Sequence, residues 1–385
     1  MEANRTQFQI LCAKVIVLYT YSFSKAGNIL TNRIQKLKDS LQSENSDGYI
    51  VANETNMLYF AGFLGGARLL VPTKNESVLY VYGVNYEAAK ETVKDCRVEL
   101  VKTATGDGAD QKVAEQIKKL KLKQVGFDAL DSSIFLKLKN GLRGVELKAQ
   151  SQLVWSLRKV KDKTELGYMR KAAEITNEGI RRAAEVIKPR MREYEVAGEI
   201  EYAMRKLGSE GVAFETIVAS GPRSAFPHGG CTDKKIKKGE FIVLDLGAKY
   251  QHYRADLTRT LLIGKPSQKQ AKIYQTVRKA QQKTFDSLHE GVKAKNADAV
   301  ARKIIKQAGY GKYFVHGLGH GVGLEVHELP TLTSESRDLL KAGNVVTVEP
   351  GIYIIGFGGV RIEDTVLIHR EKAERLTEVT YDLSV

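Results

Sequence analysis

The chain has 385 residues, 43% hydrophobic and 27% charged, and its 60 Lys+Arg against 45 Asp+Glu give a net charge of +15. This is the composition of a globular protein with room for two or three domains and a sizeable core, and it excludes disordered and fibrous classes. Cys12, Cys96 and Cys231 are too scattered for a disulfide framework or a thiolate zinc site, which implies a reducing, cytoplasmic setting, and no apolar run is long enough to span a bilayer.

The basic surplus lies in polar stretches such as 118–123 and 234–238, with no interleaved aromatics on which bases could stack. It reads as a solvated, heat-tolerant surface rather than a nucleic-acid footprint. Residues 1–27 form an expected N-terminal extension. Within it, 15–23 has the apolar character of a signal segment but no small-x-small cleavage site.

From 28 the pattern becomes regular. A helix is predicted over 33–42, then a strand over 49–52, a turn at Tyr59-Phe60-Ala61-Gly62-Phe63, and strands over 68–71 and 78–82. Helices at 86–95 and 111–120 alternate with strands at 98–101 and 125–127. Residues 28–150 therefore read as an α/β domain whose polar residues show no ligand spacing. A linker over 151–162 leads to a second domain, 163–385, that opens with amphipathic helices over 164–187 and 193–207. After a strand at 215–220, the loop Gly221-Pro222-Arg223-Ser224-Ala225-Phe226-Pro227-His228-Gly229 is too rich in glycine and proline to continue it. Further helices are expected over 268–288 and 297–308.

The remaining segments carry carboxylates in unusual places. Asp245 interrupts Phe241-Ile242-Val243-Leu244-Asp245-Leu246-Gly247, and Asp256 precedes Leu257-Thr258. In the last third His320, Glu349 and Glu363 each interrupt an apolar, glycine-bounded run, which predicts short strands with one inward polar residue apiece. Burying such a group is costly without a compensating charge, and a cation is one compensation. A shift of 104 positions lays Gly239 on Gly343, Asp245 on Glu349 and Gly247 on Gly351; Asp256-x-Thr258 then meets Glu363-x-Thr365 after a small insertion. The spacing predicts two related αβ halves with four carboxylates and one histidine at their seam.

Leu244-Asp245-x-Gly247, Asp256-x-Thr258-Arg259-Thr260, His316-Gly317-x-Gly319-His320-x-x-Gly323, Glu349-Pro350-Gly351 and Arg361-Ile362-Glu363-Asp364 together resemble the pita-bread metallopeptidases. Within them the pattern is similar to the branch of Xaa-Pro dipeptidases (prolidases) and Xaa-Pro aminopeptidases. The likeness runs from about residue 28 onward and is densest over 218–365. It implies an α+β chain: a pita-bread catalytic domain with duplicated αβ halves, preceded by a smaller α/β creatinase-like N-terminal domain. The resemblance further implies that Asp245 chelates one metal, that His320 and Glu349 hold another, and that Asp256 and Glu363 bridge both. The donor chemistry agrees, because oxygen-rich ligation with one imidazole suits two divalent ions, manganese or cobalt first, with zinc or iron as alternatives. The implied partners are a small peptide with proline in second position and a second copy of the chain in a homodimer, with neither membrane nor nucleic acid.

Other residues carry two readings. His228 is either a solvated loop histidine or, as the resemblance implies, a substrate-side group; His327, in Val326-His327-Glu328, divides the same way. His316, four residues before His320, either packs beneath it or contacts substrate. Arg361 neutralises surplus carboxylates, itself a site function. Two departures stand out: Arg223 replaces a common asparagine, and Ala255 a frequent serine. The rival activities are a methionine aminopeptidase, against which the domain over 28–150 counts, and a metal-free creatinase-like C–N hydrolase, against which five intact ligands count. A scaffold-type binding protein has the charge of +15 as its support.

Overall fold

In the computed structural model, the structure describes residues 27–102 and 108–385, so the expected extension lies almost wholly outside the described residues. The described residues fall into two compact units that divide between Leu157 and Arg158.

The first unit is built on one mixed six-stranded sheet. In chain order it contains α1 (Gly27–Ser43), β1 (Gly48–Val51), α2 (Glu54–Ala61), β2 (Arg68–Pro72), β3 (Val78–Tyr82), α3 (Gly83–Thr92) and β4 (Arg97–Val101). There follow α4 (Gly108–Lys119), β5 (Gln124–Phe127), α5 (Ser132–Gly141), β6 (Glu146–Ala149) and α6 (Ser151–Arg158), giving the strand order β4-β3-β2-β1-β5-β6. The central strands are buried, and their aliphatic and aromatic side chains, Ile50, Leu70, Val78 and Tyr80 among them, pack with Val113 and Ile117 of α4.

Two expectations are corrected here. The segment read as a turn at 59–63 is the end of α2, with Tyr59, Phe60 and Ala61 buried; Asn53 caps its start, and Gly62, in the left-handed region at φ 67°, stops it. A helix of two turns with one apolar stripe is too short for its period to stand out. The stretch 128–150, left without elements, contains α5, capped by Asp131, and β6.

The second unit opens with α7 (Lys163–Val186), whose start is fixed by a reciprocal capping box between Asp162 and Glu165. Its buried face, Met169, Ala172, Ala173, Thr176, Ile180 and Ala183, recurs every three or four residues. Then come α8 (Glu193–Lys206), β7 (Gly211–Val212), β8 (Ile217–Ser220), a 3₁₀ turn (Gly221–Ala225), β9 (Phe241–Leu246), β10 (Ala248–Tyr250), β11 (Tyr253–Arg254) and β12 (Leu257–Leu262). The second half repeats the plan with α9 (Gln268–Asp286), α10 (Ala294–Gln307), β13 (Gly319–Gly321), β14 (Glu328–Leu332), β15 (Val345–Val348), β16 (Gly351–Ile354), β17 (Gly358–Arg361), β18 (Asp364–Ile368) and β19 (Ala373–Arg375).

The halves are thus helix pairs over sheets ordered β12-β9-β8 and β14-β13-β15-β18-β19. Each has its own core: Val196, Ile200, Val218, Ile242 and Leu244 in one, Val277, Ile305, Val346, Val348 and Val366 in the other. The return strands meet. Thr365 Oγ1 donates to the Asp256 carbonyl (2.7 Å), Glu363 N to the Thr258 carbonyl (3.1 Å), and Thr260 Oγ1 to the Arg361 carbonyl (2.9 Å).

Candidate metal centre

Strand geometry brings the predicted donors to this seam. Asp245 lies in β9, paired with Thr258 of β12, and Asp256 stands just ahead of β12. In the second half the ladder between β15 and β18 ends at Val348 opposite Asp364. Glu349 and Glu363 are the next residues beyond that end. They therefore sit outside regular strand, contrary to the expectation of inward strand positions, and the Glu349 N–H bonds to the Leu318 carbonyl instead (2.9 Å). His320 lies in β13 where the register shifts between Gly319 and Gly321. A Cβ on Gly319 would meet the Thr347 carbonyl oxygen at 2.2 Å. Glycine here is what lets β13 approach β15 and set His320 beside Glu349.

The His320 backbone N–H donates to Thr347 Oγ1 (3.0 Å), which in turn donates to Glu349 Oε1 (3.1 Å). The ring Nδ1 is bonded to the Gly321 carbonyl (3.0 Å), which makes it the N–H and turns Nε2 toward Glu349 Oε1 (3.2 Å) and Asp256 Oδ2 (3.7 Å). Ligand atoms of Asp256, His320 and Glu363 lie within 4.8 Å of one another. Among the described residues, Asp245 Oδ1, Asp256 Oδ1 and Glu363 Oε1 are buried with no hydrogen-bond partner. Asp256 and Glu363 thus each leave a buried oxygen unpartnered in the cluster with His320, and Asp245 adds another on the same cavity, a donor set that a divalent cation fits.

The electrostatics agree. With protein charges alone, burial and then neighbouring Asp245 push the Asp256 carboxyl well above its ordinary range, and burial and then Asp256 do the same to Glu363. Burial opposes ionisation of Glu349 too, yet its hydrogen bond from His320 prevails and holds it at about 2, while burial works against the His320 charge and Glu349 raises it to about 9. Positive charge is what this cluster lacks.

Arg361 supplies part of it. It is 3% exposed, and its guanidinium donates to Thr258 Oγ1 (3.1 Å), the Tyr353 hydroxyl (2.9 Å) and, in a short ion pair, Asp245 Oδ2. Tyr353 was not singled out from the sequence. Its hydroxyl also meets His316 Nε2 (3.0 Å), whose Nδ1 is bonded to the Gly317 carbonyl (2.7 Å), and burial keeps that imidazole neutral by lowering its pKa. The available signal was a hydroxyl-bearing ring two residues past Gly351 on the same face of β16.

The five candidate donors, Arg361 and His316 line one cavity of about 510 Å³, together with His228, His327, Phe214, Ile217 and Val326. The His327 ring stands edge-to-face 4.3 Å from that of His320, and burial followed by His320 lowers its pKa, so it is neutral. The structure therefore brings to a single cavity every site residue expected from the sequence: Asp245, Asp256, His320, Glu349 and Glu363, with His228, His316, His327 and Arg361 around them.

Two mirrored αβ halves around a carboxylate-rich, single-imidazole seam define a hydrolase of the metallopeptidase class. Residues 167–370 match the model of metallopeptidase family M24, and residues 33–160 match the Creatinase/Prolidase N-terminal domain. The chain belongs to family M24. It is 41% identical over 357 residues to an Xaa-Pro dipeptidase of Pyrococcus furiosus, covering 92% of this chain and 100% of that one. Among solved structures it is similar to an Xaa-Pro dipeptidase from Bacillus anthracis (TM-score 0.87, 36% identity, covering 92% and 100%). It is also similar to an X-Pro aminopeptidase from Thermotoga maritima (TM-score 0.84, 34% identity, covering 92% and 99%). Among the described residues no helix is long and apolar enough to cross a membrane.

Proposed function

We propose that this metallopeptidase is an Xaa-Pro dipeptidase that hydrolyses the bond before a carboxy-terminal proline at two divalent ions, manganese or cobalt. One observation carries the chemistry: Asp245, Asp256 and Glu363 each leave a buried carboxylate oxygen without a partner, and all three residues line, with His320, a cavity large enough for a dipeptide. Asp245, Asp256, His320, Glu349 and Glu363 would hold the ions. Bound there, the pair supplies Lewis acidity that polarises the scissile carbonyl and lowers the pKa of the attacking water toward neutrality.

The chain's own groups do the rest. Glu349, held ionised, accepts the proton released as water adds to the carbonyl and returns it to the departing proline nitrogen. Neutral His327, on the cavity wall, would donate a hydrogen bond to the developing oxyanion, and His228 lines the same space from the 221–229 loop. The Arg361–Tyr353–His316 chain fixes Asp245 on one side and the His316 ring on the other. The proline nitrogen has no amide hydrogen, so recognition falls to a pocket shaped for the ring; Phe214, Ile217 and Val326 supply apolar wall for it. The same reading includes a cytoplasmic homodimer.

The likeness to the Thermotoga maritima X-Pro aminopeptidase favours a second reading, in which the same centre cleaves longer peptides. Purified, stripped and reloaded protein is to be given Ala-Pro, Ala-Pro-Ala and Ala-Ala. Cleavage of Ala-Pro well above the other two supports the dipeptidase. Preference for Ala-Pro-Ala gives the aminopeptidase, and indifference to proline sinks both. Asp256→Ala and Glu363→Ala are each expected to abolish paired ion binding and turnover together.

A further inference from the structure

Glu193, the first residue of α8, is fully enclosed at 0% exposure but touches none of the groups described above. Its carboxylate gathers both ends of the segment that carries His228. Oε1 accepts from the backbone N–H and the hydroxyl of Ser220, the last residue of β8, both at 2.8 Å. Oε2 accepts from the backbone N–H (3.0 Å) and hydroxyl (2.6 Å) of Thr232. One buried carboxylate thus closes the loop over 221–231 at its base.

Inside the loop, Arg223 extends the clamp. Its Nε lies 3.1 Å from Glu193 Oε2, and its terminal nitrogen makes a short hydrogen bond to the Gly229 carbonyl, one residue past His228. Ser224 ties the opposite side: its hydroxyl donates to the Gly221 carbonyl (2.6 Å) and accepts from Gly359 N (2.8 Å), on the strand that ends in Arg361. The intervening Gly221-Pro222 and Pro227-His228-Gly229-Gly230 have no regular ladder to hold them, and Gly221 sits at φ 58° and Gly230 at φ 60°. A half-buried ion pair adds little stability over an apolar contact of similar size, so energy alone does not account for its presence; fixing one loop conformation does.

We propose that Glu193 and Arg223 are positioning residues for His228, setting the height at which its imidazole enters the cavity. This rests on the reading of His228 as a substrate-facing group. A displacement of about 1 Å at such a group costs on the order of 100-fold in rate.

The test uses the ion-loaded full chain as wild type, Arg223→Met, His228→Ala and the double variant. Two measurements are made: Ala-Pro kinetics, and hydrogen exchange of the peptides spanning 221–231 against those of α7 and α8. The Arg223 side chain is 27% exposed, so Met there leaves the core intact. The expected result has three parts: faster exchange confined to 221–231, a kcat at least about tenfold lower, and a double variant no slower than His228→Ala alone, since coupled residues fail to add. Unchanged exchange in that segment overturns the clamp, and so does a loss that adds in full to that of His228→Ala. Should the wild type cleave no Xaa-Pro dipeptide, the proposed function fails, while the exchange comparison still decides whether the clamp exists.

Discussion

Replacing Arg361 with Met asks how much of this fold depends on balancing the charge of its own clustered carboxylates. The guanidinium is 3% exposed and its listeners are fixed: Asp245 in a short ion pair, the Tyr353 hydroxyl at 2.9 Å and Thr258 Oγ1 at 3.1 Å. Removing one member of a buried pair costs about 3–5 kcal/mol, chiefly because the partner charge is stranded. For a unit of this size each kcal/mol moves Tm by about 2–4 °C, so ion-stripped Arg361→Met should melt about 6–20 °C below stripped wild type. Divalent ions replace much of the missing positive charge, so the deficit should fall by more than half after reloading with manganese. It should also narrow at low pH, where Asp256 and Glu363 are neutralised by protons. Calorimetric scans of both proteins, stripped and reloaded at one protein concentration, give the four Tm values. An equal deficit with and without ions, or none in the stripped protein, refutes the argument that Arg361 and the cations serve one charge balance.

Three further outcomes follow from the same geometry. Asp256 and Glu363 have folded-state pKa values raised above their unfolded ones, so their contribution to the stripped fold is fully present below about pH 4 and is lost as pH rises through the raised values. His320 is raised to about 9 without ions, so an ion taking its Nε2 should release a proton at neutral pH, which titration calorimetry in buffers of different ionisation enthalpy reads directly; no release would contradict the assignment. Gly319→Ala places a Cβ 2.2 Å from the Thr347 carbonyl and should cost about 1–3 kcal/mol with a large loss of ion affinity, whereas Gly198→Ala, with open space around it on α8, should leave both intact. Glu328, bonded by Arg158 and by Lys161 (3.0 Å) with all three side chains at most 2% exposed, should cost about 3–5 kcal/mol as Glu328→Gln, seen as a lower denaturation midpoint.

The candidate donors were legible in the sequence because a carboxylate or imidazole inside an apolar or glycine-bounded run is conspicuous, and the 104-residue echo marks Asp245 and Glu349 as equivalents. What the local pattern does not encode is where a ladder stops. Glu349 and Glu363 look like strand residues, but pairing ends at Val348 and Asp364, and which residue frays is decided by the partner chain segments, Leu318 and Thr258. Tyr353 looks like an ordinary core aromatic until Arg361 and His316 are brought to its hydroxyl from elsewhere in the chain. Glu193 was equally silent, one acidic residue at a helix start, where such residues are common. In the first unit the central strands were readable from their apolar runs, whereas α2, of eight residues, is specified by its caps at Asn53 and Gly62 more than by periodicity.

The duplication explains why the centre lies where it does. If each half were complete, Thr258 would brace the carboxylate of its own motif and Thr365 that of its own. Instead they exchange: Thr258 Oγ1 donates to Glu363 Oε2 (2.6 Å), and Thr365 Oγ1 donates to the Asp256 carbonyl while accepting from the Asp256 N–H (3.2 Å). Each half therefore orders the acidic segment of the other, and neither holds Asp256 or Glu363 in place without its partner. The partnerless oxygens collect along the same line, from Asp245 and Asp256 on one side and Glu363 on the other. Cations held by both sets, as proposed, would be cross-links between the halves, so the affinity of the ions and the cohesion of the seam would be one quantity seen from two sides. At ion concentrations 100 times Kd, that linkage adds about 2.7 kcal/mol to the folded state.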